Sequence, residues 1–154
     1  MSAEVYEFKE AAEPCCGEVE GIRPHIPPGI YQLAYLGHYT MFFIKAPKVV
    51  LRFRVIDQGS CFGIELERFY NVKRLVGKKG KNGRFKVGSS SDLVLEFCRV
   101  STGRITRLDR LPLGTMKSVI IRGIVGTVET NRNQKTLPEL MKYSKVKELI
   151  GIET

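Results

Sequence analysis

The chain has 154 residues, 43% of them hydrophobic and 27% charged, with a formal net charge of +9. This composition fits one globular domain and excludes wholesale disorder, a collagen helix and a coiled coil. No apolar run approaches the roughly 20 residues that a membrane span needs. The acidic N-terminus also lacks the basic and apolar segments of a signal peptide, so the expected location is the cytoplasm.

The charge is divided unevenly along the chain. Residues 1–29 hold six glutamates against Lys9 and Arg23, whereas residues 30–154 hold 23 basic and 10 acidic residues, a net charge of +13. A body this basic attracts polyanions such as nucleic acid, anionic lipid or an acidic protein. The alternative is that the lysines and arginines are ordinary solvated surface residues that bind no partner. Residues 1–28, which are rich in glutamate and proline, are expected to be an extension that is partly disordered or folded back on the body.

The first half of the body, which spans residues 29–154, is predicted to form strands. Residues 29–37 contain strand-forming side chains, and residues 39–44 extend or pair with them. Residues 49–56 alternate between an apolar face with Leu51, Phe53 and Val55 and a face with Arg52 and Arg54. A turn at residues 57–60 leads to a third strand within residues 62–75, which predicts a hairpin.

The second half mixes helix and strand. Residues 77–91 are predicted to be a flexible basic loop. A short helix is predicted from Ser91 and Asp92 to residue 101, with Cys98 buried as a small apolar side chain. Residues 118–129 form the last strong strand, in which Gly123 and Gly126 indicate a bulge or bend. The apolar spacing after residue 142 predicts a C-terminal helix.

This order predicts a mostly β fold, a small five-stranded Greek-key barrel of the OB-fold type with one internal helix and a short C-terminal helix. Four strands can be placed. The fifth comes from residues 102–110 or from a split of residues 117–129. An SH3-like barrel and a small sandwich remain alternatives.

Signals for catalysis, metals and cofactors are weak. His25 and His38 have no nucleophile or carboxylate at a motif spacing, and Asp57, Glu65 and Glu67 are the nearest approach to an acidic cluster. The segment from residue 77 to 84 lacks the G-x4-G-K-[ST] pattern of a nucleotide-binding loop. No pair of cysteines has zinc-binding spacing. The prediction is therefore a protein that is not an enzyme and has no cofactor and no metal.

The chemistry of single-strand binding is better represented, because basic and aromatic side chains are interleaved. Arg52 and Arg54 share one strand face, as do Arg68 and Tyr70, and Tyr70 is predicted to point outward because its hydroxyl tolerates water. The basic loop is expected to close over a bound strand. The predicted nucleic-acid-binding residues are Arg52, Arg54, Arg68, Tyr70, Lys73, Arg74, Lys78, Lys79, Lys81, Arg84, Phe85 and Lys86.

Three segments together resemble the OB-fold single-stranded DNA-binding proteins of phages and mobile elements. They are Ile26-Pro27-Pro28-Gly29-Ile30-Tyr31, Val49-Val50-Leu51-Arg52-Phe53-Arg54-Val55 and Gly63-Ile64-Glu65-Leu66. The resemblance implies a replication or recombination accessory that binds single-stranded DNA without catalysis through Arg52, Arg54, Arg68 and Tyr70. Unlike many of those proteins, this chain has no tryptophan and carries its acidic segment at the N-terminus.

The leading hypothesis is therefore a single-stranded DNA-binding protein, with RNA as a possible ligand and replication or recombination proteins as further partners. A homo-oligomer paired through an exposed sheet edge stays open. One rival is a phage or plasmid protein-interaction or inhibitor domain that binds a host protein, as the basic body and the acidic extension also allow. The other is a nuclease or nucleotide-processing enzyme that uses Asp57, Glu65 and Glu67.

Overall fold

The structure is a computed structural model, and it describes residues 23–101 and 111–153. These residues are mostly β structure, as predicted. The strands are β1 (Gly29–Phe43), β2 (Ala46–Val55), β3 (Glu65–Asn71), β4 (Arg74–Val76), β5 (Gly80–Lys81), β6 (Arg84–Lys86), β7 (Ile121–Val128) and β8 (Tyr143–Ile152). The helix α1 spans Asp92–Val100, and two 3-10 turns span Leu113–Ser118 and Glu139–Met141.

The main sheet is antiparallel and has the strand order β3-β2-β1-β7-β8. Strand β5 adds a short pairing to β1, while β4 and β6 form a separate two-stranded hairpin. The predicted hairpin of β2 and β3 is confirmed, with Arg52 opposite Glu67 and Phe53 opposite Leu66. Helix α1 follows β3 in the chain and precedes β7, the position that the sequence predicted for the internal helix.

The alternating pattern of β2 explains how the sheet acquires an inner and an outer face. Leu51, Phe53 and Val55 are at most 1% exposed and belong to the core, whereas Arg52 and Arg54 point away from it. Each such buried side chain contributes about 1.5 to 3 kcal/mol through its removal from water. The apolar positions of β2 thus fix which side of the sheet carries polar chemistry.

The sheet ends at two edge strands, β3 and β8, and among the described residues no ladder of backbone hydrogen bonds joins them. Helix α1 lies across this gap. Its start was predicted correctly, because the Ser91 side chain accepts a hydrogen bond of 3.3 Å from the Val94 amide. Phe97 and Val100 on its inner face are almost fully buried in the core.

The predicted C-terminal helix is wrong, because residues 143–152 form strand β8. Its pairing with β7 slips twice, so that Lys147 and Ile150 are extra residues without a partner in the register. These bulges bring Val146 and Leu149, three residues apart, opposite Val125 and Gly123, which are only two apart. The bulges therefore give a strand the apolar spacing of a helix.

Other predicted elements change in detail. The fifth strand of the sheet is β8. The predicted split of residues 117–129 is wrong, because β7 is a single strand, and residues 102–110 lie outside the described part of the chain. Residues 77–91 are not an irregular loop, since they contain β5 and β6. Cys98 is exposed on the outer side of α1 and is not part of the core.

The described end of the N-terminal extension folds back along β8. The Ser144 amide donates to the Pro24 carbonyl at 2.9 Å, and the Ile26 amide donates to the Ser144 hydroxyl at 2.8 Å. Ile26 is 4% exposed and joins the core. In the portions that the structure describes, helices are too short and too polar to cross a bilayer.

Candidate nucleic-acid interface

The outer face of β1, β2 and β3 is a shallow polar surface with rings among its charges. Tyr39, Arg52, Glu67 and Phe69 line a groove of about 350 Å³ on this face, and Lys145 of β8 closes one side. These side chains come from adjacent strands because alternate residues of each strand point away from the core. We call this surface the outer face.

Arg52 and Arg54 both lie on the outer face, as their shared strand side predicted, but they share a carboxylate. Glu65 accepts from Arg52 at 2.7 Å and from Arg54 at 3.2 Å. The hydrogen bonds from Arg54 and Arg52 lower the pKa of Glu65. All three side chains are more than 40% exposed, so water and salt weaken these pairs. A phosphate could therefore replace Glu65 as their partner.

Tyr39 stands at the centre of the outer face. Its hydroxyl donates to Glu67 at 3.0 Å, and its ring is half-buried between neighbouring strands. Burial, and then the negative charge of Glu67, raise the pKa of Tyr39 to about 12. The phenol therefore stays neutral at any physiological pH, and its ring is held by a hydrogen bond at one edge.

Positive charge crowds the opposite side of the groove. The Arg23 guanidinium lies 4.7 Å from the centre of the Tyr143 ring and 5.5 Å from that of Phe69. The pKa of Lys145 is lowered, first because the amine is partly buried and then because other cations surround it, Lys147 among them. A bound anion would relieve this repulsion.

A second groove continues from the outer face towards β5. It measures about 690 Å³ and shares Tyr39 and Arg52 with the first groove, while Lys81 and Lys117 add two exposed amines. Tyr39 of β1 is directly opposite Lys81 of β5 in the ladder. Residues directly opposite in a ladder point to the same side, so ring and amine are neighbours on one surface.

A third groove, of about 340 Å³, lies where the β1–β2 turn approaches the connection between β7 and β8. Phe43 is 46% exposed and Leu140 is 91% exposed, and both line it together with Arg132 and Met141. The side chains that line this groove include arginines and a tyrosine but no carboxylate. It offers flat and apolar contacts to a ligand without repelling an anion.

The hairpin of β4 and β6, which we call the basic hairpin, concentrates the predicted cations. Arg74 is directly opposite Lys86, and Arg84 follows on the same side opposite Val76, while Leu75 and Phe85 point to the core. Seven basic residues from this region are exposed, and within the described chain none of them forms an ion pair: Lys73, Arg74, Lys78, Lys79, Lys81, Arg84 and Lys86.

The segment between β4 and β6 is attached to the main sheet. The Gly80 amide donates to the Thr40 hydroxyl at 3.1 Å, and the Asn82 amide donates to the His38 carbonyl at 3.0 Å. His38 Nε2 also lies 2.9 Å from the Gly83 carbonyl oxygen. These contacts hold the lysines of the segment beside β1.

Three predicted binding residues lie elsewhere. The prediction that Tyr70 points outward is wrong: it is 2% exposed, and its hydroxyl donates to Glu96 at 2.6 Å. Arg68 stacks on the Tyr70 ring at 4.2 Å and pairs with the buried Glu96 at 2.6 Å. Phe85 is 6% exposed in the core. Tyr70 of β3 and Phe85 of β6 each lie on the side of their strand that faces the core. Neither ring can therefore stack on a base.

Glu96 is the centre of this buried cluster, which consists of Arg68, Tyr70, Glu96 and the Leu149 amide. The carboxylate accepts from both side chains on β3 and from the Leu149 amide of β8 at 3.0 Å. It thereby connects the two edge strands that share no backbone ladder. Its charge is fully partnered, as burial of a carboxylate requires.

The acidic residues that suggested an enzyme do not converge. Asp57 accepts from the Gln32 amide at 2.6 Å, Glu65 is held by arginines, and Glu67 accepts from Tyr39. Over residues 23–101 and 111–153, no group of three potential ligands is placed to hold a metal ion. The structure thus gives each of these carboxylates a local partner.

No protein-family model, curated protein or solved structure matches this chain. The function is therefore inferred from the surfaces themselves. Several of their residues were not predicted as binding residues: Arg23, Tyr39, Phe43, Lys117, Arg132 and Lys145. Arg23 had been assigned to the extension and Lys145 to a helix. Lys145 reaches the groove because residues 143–152 form strand β8 and not a helix.

Proposed function

We propose that this protein binds single-stranded nucleic acid, DNA in the first instance, through the outer face and without catalysis. The observation that carries the proposal is the continuity of the surface. Rings and cations follow one another from Phe43 through Phe69, Tyr39 and Arg52 to Lys81. Single-strand binders combine such rings, on which bases stack, with a basic path that follows the phosphates.

The fold supports this proposal. Five-stranded barrels of the OB type bind oligonucleotides on the face of their second and third strands and between two loops that flank it. Here the outer face lies on β1, β2 and β3. The β1–β2 turn and the β7–β8 connection meet at the third groove beside it. The strand order, the position of α1 and the bridging of the edges by Glu96 favour a partly open barrel of this type.

In this proposal the rings bind the bases and the cations bind the phosphates. Tyr39, Phe69 and Phe43 offer rings to unpaired bases, each worth about 1 to 3 kcal/mol when a base stacks on it. Arg52, Lys81 and Lys117 offer charge to the phosphates. Glu65 competes with the phosphates for Arg52 and Arg54, so binding exchanges one carboxylate for another anion.

The proposed setting is the cytoplasm, in replication or recombination, where single strands arise. Cys61 and Cys98 are free thiols, which suits a reducing compartment. The role is that of an accessory that holds a strand for other proteins.

The test is fluorescence anisotropy with labelled single-stranded DNA, duplex DNA and single-stranded RNA at two salt concentrations. We expect tight single-strand binding that weakens steeply with salt. Tyr39→Ala and Phe43→Ala should each weaken it about 5- to 100-fold, because a stacked base is lost. Phe62→Ala is the matched control, since Phe62 is 59% exposed and does not line these grooves.

Equal binding by wild type and by the Tyr39 and Phe43 variants would overturn the proposal. Absence of binding to any of the three ligands would do so as well, and would favour a protein partner for the basic surface. Circular dichroism of each variant confirms that the sheet is intact.

A further inference from the structure

The basic hairpin differs from the outer face in what it exposes. Its ring, Phe85, and its apolar partner Leu75 are directed into the core. Its other side presents Arg74, Arg84 and Lys86. This surface has cations and no ring on which an unpaired base could stack, so it can recognise phosphates but not exposed bases.

The cations of the basic hairpin are placed at a cost to the folded protein. Like charges directly opposite each other in an antiparallel ladder are destabilising, and Arg74 is directly opposite Lys86. Within the described chain neither side chain has an acidic partner. By contrast, Arg52 and Arg54 on the outer face share Glu65. An anion bound from outside would relieve the repulsion in the basic hairpin.

A duplex suits such a surface better than a single strand. Duplex DNA carries one phosphate charge per about 1.7 Å of its axis, and its major groove, about 12 Å wide, admits a two-stranded β-ribbon. A surface without rings gains nothing from unstacked bases. It gains more from the denser array of phosphates.

The two surfaces are connected. Lys81 of β5 is opposite Tyr39 of the outer face and lies three residues before Arg84 of the basic hairpin. The groove lined by Tyr39, Arg52 and Lys81 therefore leads from the rings to the segment that connects the two strands of the hairpin. A strand that leaves a duplex on the hairpin would reach Tyr39 along this groove.

We infer that the basic hairpin is a second binding surface that takes duplex phosphates, and that the preferred ligand is a nucleic acid in which a single strand continues from a duplex. This inference rests on the proposed function, because the outer face must hold the single-stranded part.

The experiment compares three DNA ligands with equal numbers of phosphates: a single strand, a blunt duplex, and a duplex with a single-stranded overhang. Anisotropy titrations at several salt concentrations use the full chain and three variants. Arg74→Gln with Lys86→Gln removes the facing pair. Arg99→Gln with Arg122→Gln removes two exposed arginines that line none of the three grooves and is the matched control. Tyr39→Ala removes the central ring of the outer face.

We expect the overhang ligand to bind wild type about tenfold more tightly than either other ligand, since it engages both surfaces. The Arg74/Lys86 variant should lose this advantage, and its slope of log affinity against log salt for the duplex should fall by about two. Its affinity for the single strand should stay within about twofold of wild type, as should every affinity of the Arg99/Arg122 control.

Two results would overturn the inference: an overhang ligand that binds no better than the single strand, or an Arg74/Lys86 variant that weakens all three ligands equally. Failure of the proposed function looks different, because Tyr39→Ala would then leave single-strand binding unchanged. Since removal of a repulsive pair does not lower stability, a thermal midpoint equal to or above that of wild type shows that the variant is folded.

Discussion

Two arginine–glutamate clusters involve strand β3, and they differ mainly in burial. In the buried cluster the Arg68 and Glu96 side chains are 14% and 6% exposed, and Glu96 joins β3 through α1 to β8. In the exposed cluster, Arg52, Arg54 and Glu65 are all more than 40% exposed on the outer face. The same chemical groups thus meet at similar distances in two environments.

Burial decides what each ion pair contributes to stability. Removing one partner of a buried pair strongly destabilises the protein, because the other charge remains buried without a partner or water. An exposed pair contributes about 1 kcal/mol or less, since water and salt compete with it. Breaking the buried cluster therefore destabilises the fold. The exposed cluster can exchange its partner for a ligand at little cost.

The largest effect should come from removing each glutamate in turn. Glu96→Ala leaves Arg68 charged and buried, so the free energy of unfolding should fall by about 3 to 5 kcal/mol. Glu65→Ala should change it by less than about 1 kcal/mol. Urea denaturation followed by circular dichroism measures both. Equal losses in the two variants would show that burial does not separate the clusters.

Removing one hydroxyl from each side of the sheet is a milder comparison. Tyr70→Phe deletes a buried hydrogen bond to Glu96, which should lower the free energy of unfolding by about 1.5 to 3 kcal/mol. Tyr39→Phe deletes a half-exposed bond to Glu67 and should cost less than about 1 kcal/mol. Thermal denaturation compares the two. A larger loss for Tyr39→Phe would contradict the assignment of Glu96 as the structural centre.

Binding should respond to the exposed cluster in the opposite sense. Glu65→Gln removes the competitor of the phosphates, so affinity for single-stranded DNA should rise about two- to fivefold, in keeping with the strength of an exposed pair. The same change at Glu153, which lies 3.5 Å from Arg122 outside the outer face, is the control and should leave affinity unchanged. Weaker binding by Glu65→Gln would mean that Glu65 positions the arginines for the ligand.

The smallest effect should be seen in the titration of Glu65. In the free protein its pKa should lie below the usual value, because Arg54 and Arg52 stabilise the carboxylate. The small stabilisation that this shift supplies is present above the pKa that Glu65 has in the unfolded chain. It is lost as the pH falls through the lower pKa that Glu65 has in the folded protein. Carboxyl-carbon NMR should show the pKa rising when single-stranded DNA is added. An unmoved pKa would show that the arginines keep Glu65 in the complex.

Local patterns were enough to predict much of the fold. The alternation of Leu51, Phe53 and Val55 with Arg52 and Arg54 and the Ser91 cap of α1 need only neighbouring residues, and both are confirmed. Val50, on the same side as the arginines, is nevertheless buried. Strand β8 was read as a helix because its two bulges appear only in the register with β7. Bulges depend on a partner strand, which a single segment of sequence does not show.

The candidate site was predicted only in part, because some of its features also depend on contacts between distant segments. The cations of the basic hairpin were recognised from their density along the chain. Tyr70 lies on the same strand side as the buried Leu66, and the partner of its buried hydroxyl, Glu96, lies 26 residues further along. The contribution of Lys145 to the outer face depends on β8 lying beside β3, a contact between distant segments. Charge density is a local property, but burial is set by the whole fold.

The Glu96 cluster also has a consequence for the order in which the chain folds. Its carboxylate receives its last hydrogen bond from an amide 53 residues further along, in the final strand of the sheet. Until β8 docks, Glu96 keeps its water and the edge of β3 stays open. Closure of such a distant contact is slow, because a long loop must first lose its freedom. We therefore expect the pairing of β1, β2 and β3 to precede the burial of Glu96 during folding.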